Sequence, residues 1–217
     1  IFSNSGQICI AGARILLQRD IAERFIEAFV ARTQSLKVGN PLDPSTEVGP
    51  MAFKAHWQRV LDHIARARSD GASLLCGGEA RVDLGGGYFI APTVFQVDNN
   101  QLSLCQEEVF GPVVSIQIFD DDDEALSLAN DSRFGLVGYC WTNSLARAQA
   151  FQQQVEAGTL WINPPLARDL RAPFGGFKES GIGRDGPRQA AEFFTEEKAT
   201  ITALGTPPIR KLGETSS

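Results

Sequence analysis

The sequence predicts an α/β fold in which helices flank a mainly parallel sheet. Helical and strand-like hydrophobic patterns alternate along the 217 residues, which is typical of this class and not of helical bundles or β-sandwiches. Two successive strand–helix–strand steps, over 112–142 and 135–163, require long crossovers, and these favour parallel pairing. A hydrophobic content of 43% is enough for a substantial core.

The first half of the chain supplies helices and short strands in turn. In chain order we predict a strand at 14–18, a helix from Asp20, a loop at 38–50, a helix at 54–70, and strands at 74–76 and within 85–95. Asp20 and Glu23 have the spacing of a capping box, and apolar residues then recur at helical intervals. The loop carries three prolines, each in a turn-favouring step.

The second half repeats the alternation and ends in a polar tail. We predict strands at 112–119, 135–142, 159–163 and 199–204, helices after the acidic run 120–124, at 144–156 and at 188–192, and a glycine-rich loop at 164–186. The acidic run is expected to favour the start of its helix through the helix dipole, and a metal site is not expected there. One domain over 1–204 and a tail over 205–217 follow from this division.

Charge and hydropathy exclude several classes of partner. The net charge is -6, and no stretch shows the dense Lys and Arg clustering that nucleic acid requires. No apolar run approaches the roughly 18–20 residues that cross a bilayer, and the first residues lack the pattern of an export signal. We therefore predict a cytoplasmic protein that binds neither nucleic acid nor membrane. The chain opens without Met on a strand-like segment, which indicates a piece of a longer polypeptide.

The cysteines and histidines give no sign of a metal site. Four cysteines occur without a Cys-x-x-Cys pair and without histidines at ligand spacing. The two histidines, His56 and His63, lie on one predicted helix, where we expect them at the surface or at its boundary. No metal is predicted.

Cys9 is the candidate nucleophile. It lies in GQICIAG, where flanking glycines permit a tight backbone path and the following residues can begin a helix. Free N–H groups at a helix N-terminus would favour the thiolate and could hold an oxyanion. A buried, inert cysteine is the alternative. The other cysteines are expected in the core or at its boundary: Cys76, Cys105 and Cys140.

Two further motifs have features that are found in nucleotide-binding sites. EEVFGPV, residues 107–113, combines two carboxylates and a ring beside a Gly-Pro turn, which suits a ribose and a flat heterocycle. A capped turn with a core phenylalanine explains the same residues. GIGRDG, residues 181–186, matches G-x-G-x-x-G, but no strand precedes it, so we expect a close backbone approach and not a dinucleotide.

Three segments together resemble the aldehyde dehydrogenase superfamily. They are FSNSGQICIAGAR at 2–14, QEEVFGPV at 106–113 and PFGGFKESGIGRDG at 173–186. The resemblance implies that Cys9 is the nucleophile, that Glu108 holds the nicotinamide ribose of NAD, that Phe110 contacts the nicotinamide, and that Phe174 lies at the substrate entrance. NADP is not excluded, because the residues that would meet the adenosine ribose precede this chain.

The same resemblance implies what lies outside the chain. In the family the glutamate that activates water, the oxyanion asparagine and most of the nucleotide-binding domain precede the cysteine. Residues 1–204 would then be the catalytic domain, incomplete at its N-terminus and inactive alone. Family members pair into homodimers or homotetramers through sheet edges, and the strand at 199–204 could take part.

A finer resemblance suggests the substrate. RDLR, residues 168–171, and the tail TPPIRKLG are similar to the subgroup acting on muconic semialdehydes, including 5-carboxymethyl-2-hydroxymuconic semialdehyde. Arg168, and secondarily Arg171, would bind a substrate carboxylate through the guanidinium fork. A solvated charge or a pair with Asp169 is the alternative. A neutral aldehyde, a different thiol enzyme with a paired histidine, and a non-catalytic oligomerisation module are the competing functions.

Overall fold

The computed structural model describes residues 1–163, 167, 169–206 and 213. The helices are α1 (Arg19–Gln34), α2 (Lys54–Ser69), α3 (Ser103–Gln106), α4 (Asp122–Asn130), α5 (Leu145–Gln154) and α6 (Pro187–Phe194). The strands are β1 (Arg14–Gln18), β2 (Ser73–Cys76), β3 (Thr93–Gln96), β4 (Val113–Phe119), β5 (Phe134–Gly135), β6 (Val137–Cys140), β7 (Thr159–Ile162) and β8 (Phe177–Lys178). Short 3-10 turns cover Ser3–Gly6 and Val82–Leu84.

A four-stranded sheet organises the first half in the order β1-β4-β3-β2. Strand β4 pairs in parallel with β1 and β3, and β2 runs antiparallel to β3. Successive side chains of a strand point to opposite faces, so Val113 and Phe95 pack toward α2 while Val114 and Val94 pack toward α1. The prediction of an α/β fold with a mainly parallel sheet is confirmed.

Of the two predicted strand–helix–strand steps, only the second, over 135–163, joins parallel neighbours. Helix α5 connects β6 to β7, which pair in parallel as a separate two-stranded sheet. Strand β6 does not extend the main sheet from β4, because β1 and β3 already occupy both edges of β4. Strand β5 pairs instead with β8 from the glycine-rich region, in antiparallel register.

The two acidic helix starts differ from each other. Asp121 is a true N-cap of α4, and its carboxylate accepts a hydrogen bond of 2.9 Å from the Glu124 N–H. The predicted cap at Asp20 is wrong, because α1 begins at Arg19 and Gln18 holds the cap position. Gln18 is the last residue of β1, so the chain passes from strand to helix without a turn, and Asp20 is left inside the first helical turn.

The strand predicted at 199–204 is also wrong. These residues form no strand, and Ile201 and Leu204 are 97% and 101% exposed. A strand exists through hydrogen bonds to a neighbour, and the described part of the chain places no strand beside this segment. No helix among the described residues is long and apolar enough to cross a membrane.

Candidate active site

Cys9 lies on an exposed turn within the first motif, residues 2–14, shortly before β1. The turn is closed by a hydrogen bond of 2.9 Å from the Ala11 N–H to the Ile8 carbonyl. The expected helix does not follow Cys9, because β1 begins at Arg14 and the chain must extend to reach it. Within the described residues the Cys9 N–H has no acceptor, so it remains available to a ligand oxygen.

The other cysteines are placed as predicted. Cys76 and Cys105 are buried and Cys140 is half-buried, whereas Cys9 is exposed. Burial raises the pKa of the thiols of Cys76, Cys105 and Cys140, which disfavours the nucleophilic thiolate. Exposure therefore distinguishes Cys9 from the other three as a candidate nucleophile.

The first motif (residues 2–14) and the second motif (residues 106–113) are in direct contact through two glycines. Gly6 has a left-handed backbone with φ of 73°, and a Cβ atom there would lie 2.0 Å from the Gly111 carbonyl oxygen. Ser5 is buried and its hydroxyl donates to the Gly49 carbonyl over 2.8 Å. The Gln7 side chain accepts the Ala52 N–H at 3.0 Å. The segment before Cys9 is thus held on both the second motif and the proline-rich loop.

The two glutamates of the second motif lie in different surroundings. Glu107 is paired with Arg66 of α2 by two hydrogen bonds of 3.1 and 2.8 Å. Glu108 is exposed and makes no ion pair or hydrogen bond to any residue that the structure describes. Glu107 therefore fixes the motif to α2, and Glu108 is left with a carboxylate that can accept hydrogen bonds from a ligand.

Phe110 lies at the bend of the second motif in a left-handed conformation, with φ of 54°. His56 of α2 donates from Nε2 to its carbonyl over 2.7 Å, and Arg59 donates to His56 Nδ1 over 2.8 Å. Since a guanidinium only donates, Nδ1 of His56 acts as the acceptor and Nε2 as the donor in this arrangement. The bend is thus held by a side chain of the neighbouring helix.

The expectation that both histidines lie at the surface or at its boundary is wrong. His56 is 4% exposed and His63 is 8% exposed. The signal was present in the spacing, because His56 lies four residues before Val60 and His63 adjoins Ile64, on the apolar stripe of α2. Sequence reasoning missed their role because their partners, the second motif, lie far along the chain.

Acid should destabilise the protein through His63. Its burial and the positive charge of Arg66 lower the pKa of His63 from its ordinary 6.5, an effect that nearby Glu107 and Asp62 oppose and Arg59 reinforces. As pH falls below about 6.5, the unfolded chain therefore binds the proton first and the free energy of unfolding decreases. We expect His63→Gln to flatten this decrease between about pH 7 and about pH 5 in urea unfolding. Equal slopes for both proteins would assign the acid sensitivity to other groups.

The third motif folds back on itself beside β5. Phe174, which is half-buried, exchanges backbone hydrogen bonds of 2.7 and 2.6 Å with Asp185. At Gly175 a Cβ atom would lie 2.3 Å from the Gly183 carbonyl oxygen. The close approach requires glycine at 175, whereas a Cβ atom at Gly181 or Gly183 would meet nothing within 4 Å, so the backbone role predicted for GIGRDG is wrong at these two positions. Strand β8 precedes the segment, contrary to the prediction, and Gly186 is the N-cap of α6. No strand follows α6 among the described residues, so the segment does not open a helix within a β-α-β unit.

The two candidate substrate arginines are placed differently. Arg168 lies outside the residues that the structure describes. Arg171 is exposed, and its guanidinium binds both carboxylate oxygens of Asp169, with contacts of 2.9 and 2.7 Å. This pairing lowers the pKa of Asp169 and raises that of Arg171. A substrate carboxylate would have to displace Asp169 from Arg171. No group of His, Cys, Asp or Glu suited to a metal occurs within the described ranges.

Known proteins resemble this chain over nearly its whole length. The model of the aldehyde dehydrogenase family matches residues 1–200. A betaine aldehyde dehydrogenase of Mesorhizobium japonicum is 41% identical over 206 residues, which are 94% of this chain and 42% of that protein. The crystal structure of HpcC from Thermus thermophilus superposes with a TM-score of 0.92 at 40% identity, covering 99% of this chain and 42% of the other.

A third relative was solved with a nucleotide. The Mycobacterium tuberculosis aldehyde dehydrogenase in complex with NAD+ has a TM-score of 0.88 at 38% identity, over 95% of this chain and 42% of that one. The chain thus spans about two-fifths of the length of the relatives that it matches. A family match over nearly all of its residues, with its fold and three motifs, shows that the chain belongs to the aldehyde dehydrogenase family.

Proposed function

We propose that the complete encoded protein oxidises an aldehyde to a carboxylic acid with NAD+, and that Cys9 is its nucleophile. The observation that carries the proposal is the placement of Cys9 on an exposed turn, held against the second motif by the Gly6–Gly111 contact. Residues 1–204 would form the catalytic domain and 205–217 a tail. NADP stays an alternative cofactor.

The chemistry at Cys9 begins with attack of the thiolate on the aldehyde carbon. A carbon–sulfur bond forms, the carbonyl π pair moves to oxygen, and the Cys9 N–H can donate to the oxyanion because it has no acceptor in the described structure. Bound NAD+ would accept the hydride that this carbon must lose. Water then cleaves the resulting thioester, which releases the acid and restores the Cys9 thiol.

Residues of the second motif fit the nicotinamide end of NAD+. The exposed carboxylate of Glu108 can accept hydrogen bonds from both ribose hydroxyls. The half-buried Phe110 ring, on a bend whose carbonyl is fixed by His56, offers an apolar surface for a flat heterocycle. The NAD+ complex of the mycobacterial relative supports this cofactor. Phe174 is proposed at the substrate entrance, as the family resemblance implies.

The direct test is reduction of NAD+ by the purified complete protein in the presence of an aldehyde. We expect NADH absorbance to rise with formation of one acid per NADH, and NADP+ is tested in parallel. Hydrolysis of a thioester or ester without any nucleotide, together with no NADH formation, would favour the alternative of a different thiol enzyme. The complete protein without turnover of any kind would favour a non-catalytic module.

A carboxylate-bearing semialdehyde is the proposed substrate class, with Arg168 as its first ligand and Arg171 as the second. A guanidinium binds a carboxylate in two places, and Arg171 already does so with Asp169. The betaine aldehyde of a similar protein is instead a cation. The charge of the preferred substrate therefore distinguishes the two specificities: a semialdehyde carboxylate is negative, and betaine aldehyde is positive.

Replacement of Arg168 tests this substrate class. We expect Arg168→Gln to lower kcat/KM for succinic semialdehyde by about tenfold to a hundredfold, since a charged hydrogen-bonded pair contributes about 1.5–3 kcal/mol. Neutral propionaldehyde should be nearly unaffected, and Arg188→Gln, at an exposed site on α6, serves as the control. Equal losses for both aldehydes, or a preference for betaine aldehyde, would remove the carboxylate proposal.

Assembly and location also remain proposals. A homodimer or homotetramer is proposed from the family resemblance, and sedimentation of the complete protein measures it. The segment 199–204 forms no strand, so the structure provides no pairing edge there. A cytoplasmic location is proposed from the sequence composition.

A further inference from the structure

The turn that carries Cys9 is anchored from a distant strand. Tyr139 of β6 donates its hydroxyl hydrogen to the Ile10 carbonyl over 2.7 Å. Ile10 directly follows Cys9 within the turn closed by Ile8 and Ala11. Among the described residues this is the only hydrogen bond that joins residues 8–12 to a remote part of the chain.

The Tyr139 ring is itself fixed by two tryptophans. Trp161 is its register partner on β7, and their rings stack with centroids 5.2 Å apart and planes inclined by 11°. Trp141, which directly follows β6, stacks on the same ring with centroids 6.0 Å apart. Stacked aromatic pairs at such distances contribute about 0.5–1.5 kcal/mol each beyond the burial of their area. The two stacking contacts therefore favour the ring position in which the Tyr139 hydroxyl meets the turn.

Two further observations place Tyr139 next to the nucleophile. Its ring lies 3.8 Å from the position that a Cβ atom at Gly12 would occupy. The pKa of Tyr139 is raised by burial and, additionally, by the charge of a Cys9 thiolate. The ring thus packs under the turn on the C-terminal side of Cys9, while the Gly6–Gly111 contact holds the N-terminal side.

We propose that Tyr139 is a positioning residue for Cys9, holding the nucleophile turn through the Ile10 carbonyl. This rests on the proposed function of Cys9. A thiolate reacts fast only when it is held at the right distance and angle from the carbonyl carbon, and a small displacement lowers the rate strongly. Tyr139 acts through the backbone of the turn, by its hydrogen bond to the Ile10 carbonyl.

The test compares Tyr139→Phe with Tyr88→Phe in the complete protein. The chain has two tyrosines, and Tyr88 packs on Trp57 of α2, so its substitution removes a hydroxyl away from the turn. Hydrogen–deuterium exchange reports on the amides of residues 6–13, and steady-state kinetics reports on catalysis. For Tyr139→Phe we expect faster exchange confined to this segment, a kcat lowered about tenfold or more, and a KM for NAD+ within about twofold. Tyr88→Phe should change neither.

Each remaining outcome decides the proposal. Unchanged exchange at residues 6–13 in Tyr139→Phe overturns it, as does faster exchange with an unchanged kcat. Faster exchange over the whole protein also overturns it, because the hydroxyl would then support general stability. If the wild-type protein shows no NAD+-dependent oxidation while the exchange increase is confined to the turn, the anchoring is supported and the proposed function fails.

Discussion

Cys9→Ser is expected to lower kcat/KM for aldehyde oxidation by about a thousandfold or more, because a hydroxyl at this position is a much weaker nucleophile than a thiolate. The side chain differs by one atom, so the exposed turn and its hydrogen bond from Ala11 to Ile8 should persist. The measurement is NADH formation at saturating NAD+, with circular dichroism to confirm the fold.

Cys140→Ser is the matched control. Cys140 is half-buried on β6 next to Tyr139, and burial raises the pKa of its thiol. It should retain activity within a few-fold of wild type, with a modest loss of stability. If Cys9→Ser keeps a tenth of the wild-type activity or more, the assignment of the nucleophile is wrong. If Cys140→Ser is as inactive as Cys9→Ser, the loss does not identify the nucleophile.

Gly6→Ala is expected to detach the nucleophile segment from the second motif. The added Cβ would lie 2.0 Å from the Gly111 carbonyl oxygen, on a backbone with φ of 73°. The left-handed conformation costs about 1–2 kcal/mol for a non-glycine residue. Displacing the packed neighbour costs about 1–3 kcal/mol more. We expect the free energy of unfolding to fall by about 3 kcal/mol and kcat to fall about a hundredfold.

Gly71→Ala is the control that distinguishes the cost of backbone strain from the steric clash expected in Gly6→Ala. Gly71 has φ of 92°, and a Cβ atom there would meet nothing within 4 Å. Only the conformational cost of about 1–2 kcal/mol should appear, with kcat unchanged. Denaturant unfolding and turnover are measured for both variants. Equal losses of stability in the two variants would show that the Gly6–Gly111 approach is not what holds the motifs together.

Most elements of the fold could be predicted because their signals are local. The apolar run of β4 and the helical spacing of α2 place both elements within about one residue of where they lie. Asp121 was expected to act at a helix start, and it caps α4. Local signals failed where a neighbour was required, as at 199–204, which has strand-like composition but no adjacent strand in the part of the chain that the structure describes.

The candidate site, too, could be predicted where the signal is local and not where it depends on a neighbouring element. The chemical character of Cys9, Glu108 and Phe110 follows from residue type and motif. The sequence could not show that Glu107 is paired with Arg66 while Glu108 has no partner among the described residues, because two adjacent glutamates look alike until helix α2 is placed beside one of them. Nor could it show that Arg171 is paired with Asp169 rather than open to a ligand, although it offered that pairing as an alternative.

The sequence by itself determined the family, the α/β class and the identity of the candidate nucleophile, because these depend on residue types at short spacing. Only the tertiary structure decided how that nucleophile is held. The Gly6–Gly111 approach, the His56 bond to Phe110 and the Tyr139 bond to Ile10 join residues that are 105, 54 and 129 positions apart. No periodicity or motif records such pairs, since they arise when separate elements pack against each other.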